Sequence, residues 1–122
     1  MSLSSPVIMY GIPNCDTIKK AKKWLEAEAI AYEFYDYKKL GVDAERLNGW
    51  FEKTDWEMLL NKAGTTFRKL PDDIKANIDK TSALALMVEN PSMIKRPVLE
   101  ANGRLLVGFK PEWYADFFAQ ET

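Results

Sequence analysis

The sequence contains no histidine and only one cysteine, Cys15, among its 122 residues. Without histidine, the chain cannot form a Ser-His or Cys-His dyad or an imidazole metal ligand, and it lacks the most common general base near neutral pH. A single cysteine excludes an internal disulfide and a Cys-x-x-Cys pair, so any redox chemistry needs a second thiol from another molecule. These absences favour a reducing cytosol and argue against a zinc site, and we expect no bound metal or cofactor.

An excess of one charge sign and long apolar runs are also missing. Lys and Arg number 17 and Asp and Glu number 18, which gives a formal net charge of -1. General affinity for nucleic acid requires a net basic surface, so we predict no nucleic-acid partner. No apolar run approaches the roughly 18 residues of a membrane span, and residues 1–6 lack the basic start and apolar middle of a signal peptide. We therefore expect a soluble protein without a membrane partner.

The first 36 residues predict a strand, a helix and a second strand. Val7–Tyr10 is a short apolar run that ends in a Gly-Ile-Pro-Asn turn. Apolar residues then recur at helical spacing from Asp16 or Thr17 to about Glu28. Ala31–Asp36 alternates aromatic with acidic residues, as a half-buried strand does. This order and spacing are typical of a parallel βαβ unit.

The middle of the chain, from about residue 43 to about residue 91, has helical patterns and no strand pattern. Asp43 and Asp55 each stand before an apolar segment, where they can cap a helix. Gly64–Phe67 predicts a break, Pro71 predicts the start of a short helix, and Ala83–Glu89 predicts a further helix. The pattern therefore predicts a helical insertion.

The last quarter of the chain predicts a hairpin and a final helix. Asn102-Gly103 separates two apolar runs, Pro97–Ala101 and Arg104–Gly108, and both turn residues tolerate the positive φ of a type I′ turn. Pro111 suits the first turn of a helix whose aromatic side we expect to be buried. The aromatic residues of this helix are Trp113, Tyr114, Phe117 and Phe118. We expect all four tryptophans to lie in the core: Trp24, Trp50, Trp56 and Trp113.

The order βαβ, helical insertion, ββα predicts an α/β protein with a thioredoxin-like fold and a mixed four-stranded sheet. We expect residues 1–122 to form a single domain with the helical insertion at about 43–91. In this arrangement the hairpin pairs beside the first strand, so the segment after the first strand faces the segment before the third. We therefore expect Asn14–Asp16 to lie near Lys95–Pro97.

Cys15 stands where the first strand meets the first helix, and free backbone N–H groups there favour a thiolate. Lowering a thiol pKa by about two units requires ~2.7 kcal/mol. A helix end typically supplies ~0.3–1 kcal/mol, so a cation such as Arg96 is needed, which can add ~1–4 kcal/mol. The alternative is that Cys15 is a small buried hydrophobe. The polar neighbours Asn14, Asp16 and Thr17 favour the functional interpretation.

Several segments of the chain together resemble the arsenate reductase (ArsC) family, specifically its YffB branch, which is related to Spx. The segments are Tyr10–Ala21, Leu59–Leu70, Ile94–Pro97 and Gly108–Pro111. The resemblance covers nearly the whole chain from about Pro6. It implies a thioredoxin-like fold with a helical insertion, a reactive Cys15, and a cis peptide bond between Arg96 and Pro97.

The departures from this family bear on the substrate. Arsenate reductases of this type combine their cysteine with three arginines, of which Arg96 matches one, whereas the other two positions hold Asn61 or Lys62, and Lys110. Lysine is a point donor, while arginine grips an oxyanion with two parallel hydrogen bonds, so a weaker arsenate site follows. Spx-type regulators often use a Cys-x-x-Cys switch, but the position three residues after Cys15 holds Ile18.

The resemblance to the YffB branch implies a glutathione-dependent thiol-disulfide oxidoreductase, with Cys15 and Arg96 as catalytic residues. Glutathione is the expected co-substrate, glutathione or glutaredoxin the expected partner, an oxidised molecule the substrate, and the cytoplasm the location. Six residues are predicted to bind the substrate: Asn14, Asp16, Thr17, Pro97, Lys62 and Lys110. Pro97 is expected to expose adjacent backbone for pairing with a bound peptide. Two alternatives stay open, a glutaredoxin-coupled arsenate reductase and a non-catalytic Spx-like adaptor that binds a protein through the helical insertion.

Overall fold

The computed structural model describes residues 6–119, which contain a mixed four-stranded sheet. The strands are β1 (Ile8–Gly11), β2 (Glu33–Asp36), β3 (Val98–Ala101) and β4 (Arg104–Val107), in the order β2-β1-β3-β4. β1 is parallel to β2 and antiparallel to β3, and β3 is antiparallel to β4. The predicted α/β class, the thioredoxin-like fold and the mixed sheet are confirmed.

An apolar core joins the two central strands to the first and last helices, α1 (Asp16–Ala27) and α8 (Pro111–Ala119). Alternate residues of a strand point to the same face, and Met9 on β1 and Leu99 and Ala101 on β3 enter this core. Its buried members are Val7, Met9, Ile18, Ala21, Leu25, Leu99, Ala101, Tyr114 and Phe117. The core fixes α1, and therefore the residue at its start, against the sheet.

Helix α1 follows the periodicity that predicted it. Ile18, Ala21 and Leu25 recur at a spacing of three or four residues and are fully buried. The helix ends at Ala27, and two residues later Ala29 adopts a left-handed φ of 57°. The predicted limits of the helix are confirmed to within a residue.

The hairpin between β3 and β4 is the one that the sequence predicts. Asn102 and Gly103 have φ angles of 52° and 74°, as a type I′ turn requires. Ala101 pairs directly with Arg104 across the turn. The two residues of the turn therefore set the register of the whole hairpin.

Contacts divide the chain into two compact units. One unit combines the chain up to Lys39 with the chain from Arg96 onward, and the other is Leu40–Lys95.

A short helix, α2, spans Tyr37–Leu40. The later helices are α3 (Ala44–Phe51), α4 (Trp56–Leu59), α5 (Thr65–Arg68), α6 (Asp72–Ala76) and α7 (Lys80–Glu89), followed by a 3-10 turn at Pro91–Met93. None of the helices in residues 6–119 is long and apolar enough to cross a membrane.

The second unit corrects two predictions about helix starts. Asp43 caps α3 as predicted, because its carboxylate accepts a hydrogen bond from the Arg46 N–H at 2.9 Å. Asp55 stands at the N-cap of α4, but its side chain makes no capping hydrogen bond. The predicted break at Gly64–Phe67 is wrong, since α5 begins there with Gly64 as its N-cap. Glycine is acceptable at an N-cap, although it is more common just after the end of a helix.

Helix α7 begins earlier than its apolar pattern indicates. The prediction started at Ala83, whereas the helix starts at Lys80. Asp79 accepts a hydrogen bond from the Ser82 N–H at 2.9 Å, and the Ser82 hydroxyl accepts one from the Asp79 N–H at 2.9 Å. This capping box satisfies two backbone donors and extends the helix by a polar turn.

The second unit also contains an isolated antiparallel bridge between Leu60 and Ile94. The Asn61 N–H donates to the Met93 carbonyl and the Lys95 N–H donates to the Leu59 carbonyl, both at 2.7 Å. Backbone pairing therefore ties the segment that follows α4 to the last residues of this unit without a full strand.

The tryptophans are not all in the core. Trp50 is 1% exposed, and Trp24 and Trp56 are half-buried, but Trp113 is 43% exposed. Because Trp113 precedes the buried Tyr114 on α8, it lies about 100° away around the helix and points away from the core. The prediction is therefore wrong for Trp113, and the buried aromatic side of α8 is formed by Tyr114 and Phe117.

Candidate active site

Cys15 lies between the end of β1 and the start of α1. Cys15 occupies the N-cap position, with an extended backbone (φ −116°, ψ 131°) and a half-buried side chain. β1 ends at Gly11, where a Cβ atom would collide with the Cδ1 atom of Ile18 on α1. Glycine at this position lets the helix approach the end of the strand, and this close packing positions Cys15.

The surroundings of Cys15 favour its ionised form. Burial raises the pKa of the thiol, but the backbone N–H groups of Ile18 and Thr17, and the hydrogen bond and charge of Arg96, together hold that pKa below its ordinary value. The side chain makes no capping hydrogen bond of standard geometry. The N–H groups therefore act mainly through their dipoles, as expected at a helix start.

Arg96 reaches this site from the segment that precedes β3. Val98, two residues later, pairs with Tyr10 near the end of β1, which brings Arg96 beside the turn that carries Cys15. The Arg96-Pro97 peptide bond is cis, as the family resemblance implies. Burial lowers the pKa of the guanidinium, but its interactions with Tyr37 and Cys15 raise the pKa above its ordinary value, so the group stays charged.

Tyr37 is the one member of this cluster that the sequence interpretation missed. It is the first residue of α2, directly after β2, and it is 0% exposed. Burial raises its pKa to about 12, despite the opposing hydrogen bond and charge of Arg96, while the charges of Cys15 and Asp36 raise it further. The phenol is therefore neutral at pH 7 and accepts a hydrogen bond from the guanidinium, which can only donate.

A local sequence signal for Tyr37 was present. Asp36 ends β2, and its Oδ1 atom accepts hydrogen bonds from the Lys38 and Lys39 N–H groups at 3.1 and 3.2 Å. Aspartate at the end of a strand commonly starts a turn in this way. Such a turn fixes the residue that follows it, here Tyr37, at the end of the sheet where Cys15 lies.

The remaining predicted residues near Cys15 differ in accessibility. Asn14 and Asp16 are exposed, so both are open to a substrate, whereas Thr17 is half-buried and faces the sulfur with its backbone N–H. Pro97 is buried, and its carbonyl accepts a hydrogen bond from the Gly108 N–H at 2.8 Å. A bound peptide would therefore have to pair with a neighbour of Pro97 rather than with Pro97 itself.

The two predicted lysines have other contacts. The Nζ atom of Lys110 lies 5.2 Å from the centre of the Trp113 ring. Lys62 belongs to the unit Leu40–Lys95 and lies 4.0 Å from a carboxylate oxygen of Glu57. The cation that interacts with the sulfur of Cys15 through a hydrogen bond and its charge is Arg96.

The cluster combines a nucleophile, a permanent positive charge and a neutral phenol. A thiolate attacks sulfur and other soft electrophiles, and a guanidinium binds carboxylates or oxyanions. Within residues 6–119, no group of three or more Cys, Asp or Glu side chains is arranged to hold a metal ion. The chemistry available from the described side chains is that of a thiolate beside a guanidinium.

Comparisons with known proteins give consistent matches along most of the chain. The sequence profile of the ArsC family matches residues 10–117. A solved structure of a YffB protein has a TM-score of 0.86 and 54% identity, and the match covers 90% of this chain and 96% of that one. An arsenate reductase (ArsC) related protein from Brucella melitensis has a TM-score of 0.77 and 57% identity, over 94% of this chain and 96% of that one.

A regulator is also among the relatives. The global transcriptional regulator Spx 2 of Bacillus cereus is 30% identical over 119 residues, which cover 95% of this chain and 89% of the regulator. The matches therefore include both proteins related to arsenate reductases and a transcriptional regulator.

Proposed function

This chain belongs to the ArsC family, and we propose that it is a glutathione-dependent thiol-disulfide oxidoreductase in which Cys15 is the nucleophile. The observation that carries the proposal is the position of Cys15 at the start of α1 beside Arg96, where the pKa of its thiol is lowered. Reactive thiols are found in such electropositive, partly accessible surroundings. The single cysteine fits a reaction in which a second thiol comes from solution.

The proposed cycle has two exchange steps. In the first step, the Cys15 thiolate attacks the glutathione sulfur of a glutathionylated substrate, the substrate disulfide breaks, and the substrate leaves as a thiolate that takes a proton from water. In the second step, the thiolate of a free glutathione attacks the mixed disulfide on Cys15, which releases glutathione disulfide and regenerates the Cys15 thiolate. In the net reaction, a glutathionylated substrate and one free glutathione give the substrate thiol and glutathione disulfide, so the substrate sulfur is reduced to the thiol level while the sulfur of the free glutathione is oxidised to the disulfide level. Where the reductant is a protein partner, a glutaredoxin thiol replaces free glutathione in the second step.

In this cycle Arg96 stabilises the attacking thiolate and binds a carboxylate of glutathione, because a guanidinium pairs with a carboxylate through two parallel hydrogen bonds. Asn14 and Asp16 are exposed beside Cys15 and provide polar contacts for the substrate. The cytosol suits this cycle, because glutathione keeps thiols reduced there.

The test is the formation of a mixed disulfide by the purified chain. Incubation with glutathione disulfide, followed by intact-mass measurement, should add one glutathione to the native chain, and reduced glutathione should remove it. Cys15→Ser should show no added mass and no reduction of a glutathionylated peptide. A native chain that stays unmodified at neutral pH would contradict the proposal. Release of arsenite from arsenate in the presence of glutaredoxin, abolished by Cys15→Ser, would assign the site to arsenate instead.

A non-catalytic adaptor is the second candidate, favoured by the 30% identity with a transcriptional regulator. An adaptor recognises its partner through surface shape and charge and does not need the sulfur. Cys15→Ser would therefore retain full affinity for that partner, and the native chain would turn over no disulfide substrate. Turnover that depends on Cys15 would reject the adaptor as the sole function.

A further inference from the structure

We propose that Tyr37 is a positioning residue that holds the guanidinium of Arg96 beside the sulfur of Cys15. The inference rests on the proposed function of Cys15, and it assigns a specific role to a buried hydroxyl group. It makes the reactivity of the cysteine depend on a residue that does not contact the substrate.

The backbone brings Tyr37, Arg96 and Cys15 together from three different segments. β1 is the strand between β2 and β3, and Gly11 at its end pairs with Asp36, the residue before Tyr37. On the other side of β1, the residue paired with Tyr10 is Val98. Tyr37 and Arg96 therefore approach the end of β1 from opposite neighbours, and Cys15 lies in the turn that follows this end.

The turn that carries Tyr37 is held in place. Asp36 accepts two backbone hydrogen bonds, from Lys38 and Lys39, at the start of α2. The side chain of Tyr37 is fully buried, which leaves its ring no freedom to move into solvent. The phenol oxygen is therefore a fixed acceptor.

A fixed acceptor is what a long arginine side chain needs in order to stay in one place. Arg96 has several rotatable bonds, and ordering such a side chain costs rotamer entropy. The guanidinium is planar with five N–H donors, so a hydrogen bond on one edge leaves the donors of another edge for the sulfur. The guanidinium hydrogen-bonds both Tyr37 and Cys15.

The phenol suits this role better than a carboxylate would. A carboxylate in place of the phenol would form a full ion pair with Arg96 and cancel the positive charge that acts on the thiolate. Tyr37 stays neutral, so it orients the guanidinium without cancelling its charge. Charged or titratable groups that act on Tyr37 include Arg96, Cys15 and Asp36.

The test compares two buried tyrosines. Tyr37→Phe removes the hydroxyl and keeps the ring, and the rate of Cys15 alkylation by iodoacetamide is then measured from pH 5 to pH 9. We expect the alkylation profile to move to higher pH and the rate on its acidic side to fall by about threefold, the effect of losing one hydrogen bond of ordinary strength.

Tyr114→Phe is the matched control. Tyr114 is also 0% exposed, but its hydroxyl has no hydrogen-bond partner within residues 6–119. Its removal should leave the alkylation profile unchanged. When Arg96→Gln is already present, adding Tyr37→Phe should leave the alkylation profile unchanged, because the phenol acts only through the guanidinium.

Three outcomes would overturn the proposal. They are an unchanged profile in folded Tyr37→Phe, a profile that moves to lower pH, and an equal shift in Tyr114→Phe. Thermal unfolding of each variant separates a loss of fold from a loss of positioning. These results do not depend on turnover: if Cys15→Ser retained reductase activity, the proposed function would fail, whereas the ionisation of Cys15 would still report on Tyr37.

Discussion

At the residue scale, the candidate site consists of a few side chains around Cys15. The chain has no histidine and one cysteine, so a neighbouring base cannot activate the thiol in the usual way. Activation must come from fixed dipoles and from a permanent charge, and the structure places the start of α1 and Arg96 there. The reactivity of Cys15 should therefore respond to changes at Arg96 more than to changes at other arginines.

Arg96→Gln removes the charge beside the sulfur and should raise the pKa of the Cys15 thiol. The rate of alkylation by iodoacetamide at pH 6.5 should fall severalfold as a result. Arg104→Gln is the control, because it changes the net charge by the same amount. The guanidinium of Arg104 has other contacts: it donates to the Phe117 carbonyl at 2.9 Å and lies over the Phe117 ring. Equal rates for the two variants would contradict the assigned role of Arg96.

At the scale of elements, glycines at two positions allow contacts that other residues would prevent. Gly11 lets α1 pack against the end of β1, and Gly103 supplies the positive φ of the hairpin turn. The first position affects the site directly, because Cys15 begins the helix. The second position affects only the pairing of β3 with β4.

Gly11→Ala should destabilise the fold by about 1–3 kcal/mol, because the new methyl group overpacks the contact with Ile18. The added Cβ collides with the Cδ1 atom of Ile18, which Ile18→Val removes. The double variant should therefore be more stable than the sum of the two single changes predicts. It should also recover part of the Cys15 reactivity that Gly11→Ala removes by displacing the start of α1. Urea unfolding measures this coupling. Additive effects would show that the clash is relieved elsewhere.

Gly103→Ala should cost about 1–2 kcal/mol, because alanine is strained at a φ of 74°. Gly49→Ala is the matched control inside α3, where there is also open space around the added methyl group. A protein with glycine in a helix interior is about 0.5–1 kcal/mol less stable than the same protein with alanine there. Gly49→Ala should therefore increase the free energy of unfolding. The same sign of change in both variants, measured by urea unfolding, would refute the argument from backbone conformation.

At the scale of the whole molecule, the absence of histidine simplifies the dependence of stability on pH. The chain has no imidazole, the side chain that most often changes its charge between pH 5 and pH 8. The thiol of the unfolded chain has its ordinary pKa of ~8.5. The thiol pKa of the folded chain lies below that value. Ionisation of Cys15 therefore couples directly to the folding equilibrium.

The sign of this coupling follows from the lowered pKa of the folded chain. The stabilisation is fully present above the thiol pKa of the unfolded chain, and it is lost as the pH falls through the thiol pKa of the folded chain. The free energy of unfolding of the native chain minus that of Cys15→Ser should thus increase as the pH rises towards about 8.5 and then level off. Urea unfolding at several pH values measures this difference. A difference that is independent of pH would mean that the thiol pKa is the same in both states.

Much of the fold could be predicted because its signals are local. The Asn102-Gly103 turn follows from the φ preference of two residues, and α1 follows from the spacing of Ile18, Ala21 and Leu25. Two of the errors concern helix starts, at Gly64 and at Asp79. At Asp79 the start is set by capping hydrogen bonds, which an apolar pattern does not contain.

Composition and local periodicity are enough to establish that the chain has a single thiol and that this thiol stands at a strand-to-helix turn. Which groups surround Cys15 depends on the tertiary structure, because they come from distant parts of the chain. Arg96 is 81 positions further along the chain, and Tyr37 lies on a separate strand end. Strand pairing brings these three residues together, and no short-range pattern in the sequence specifies the hydrogen bond between a buried phenol and a guanidinium.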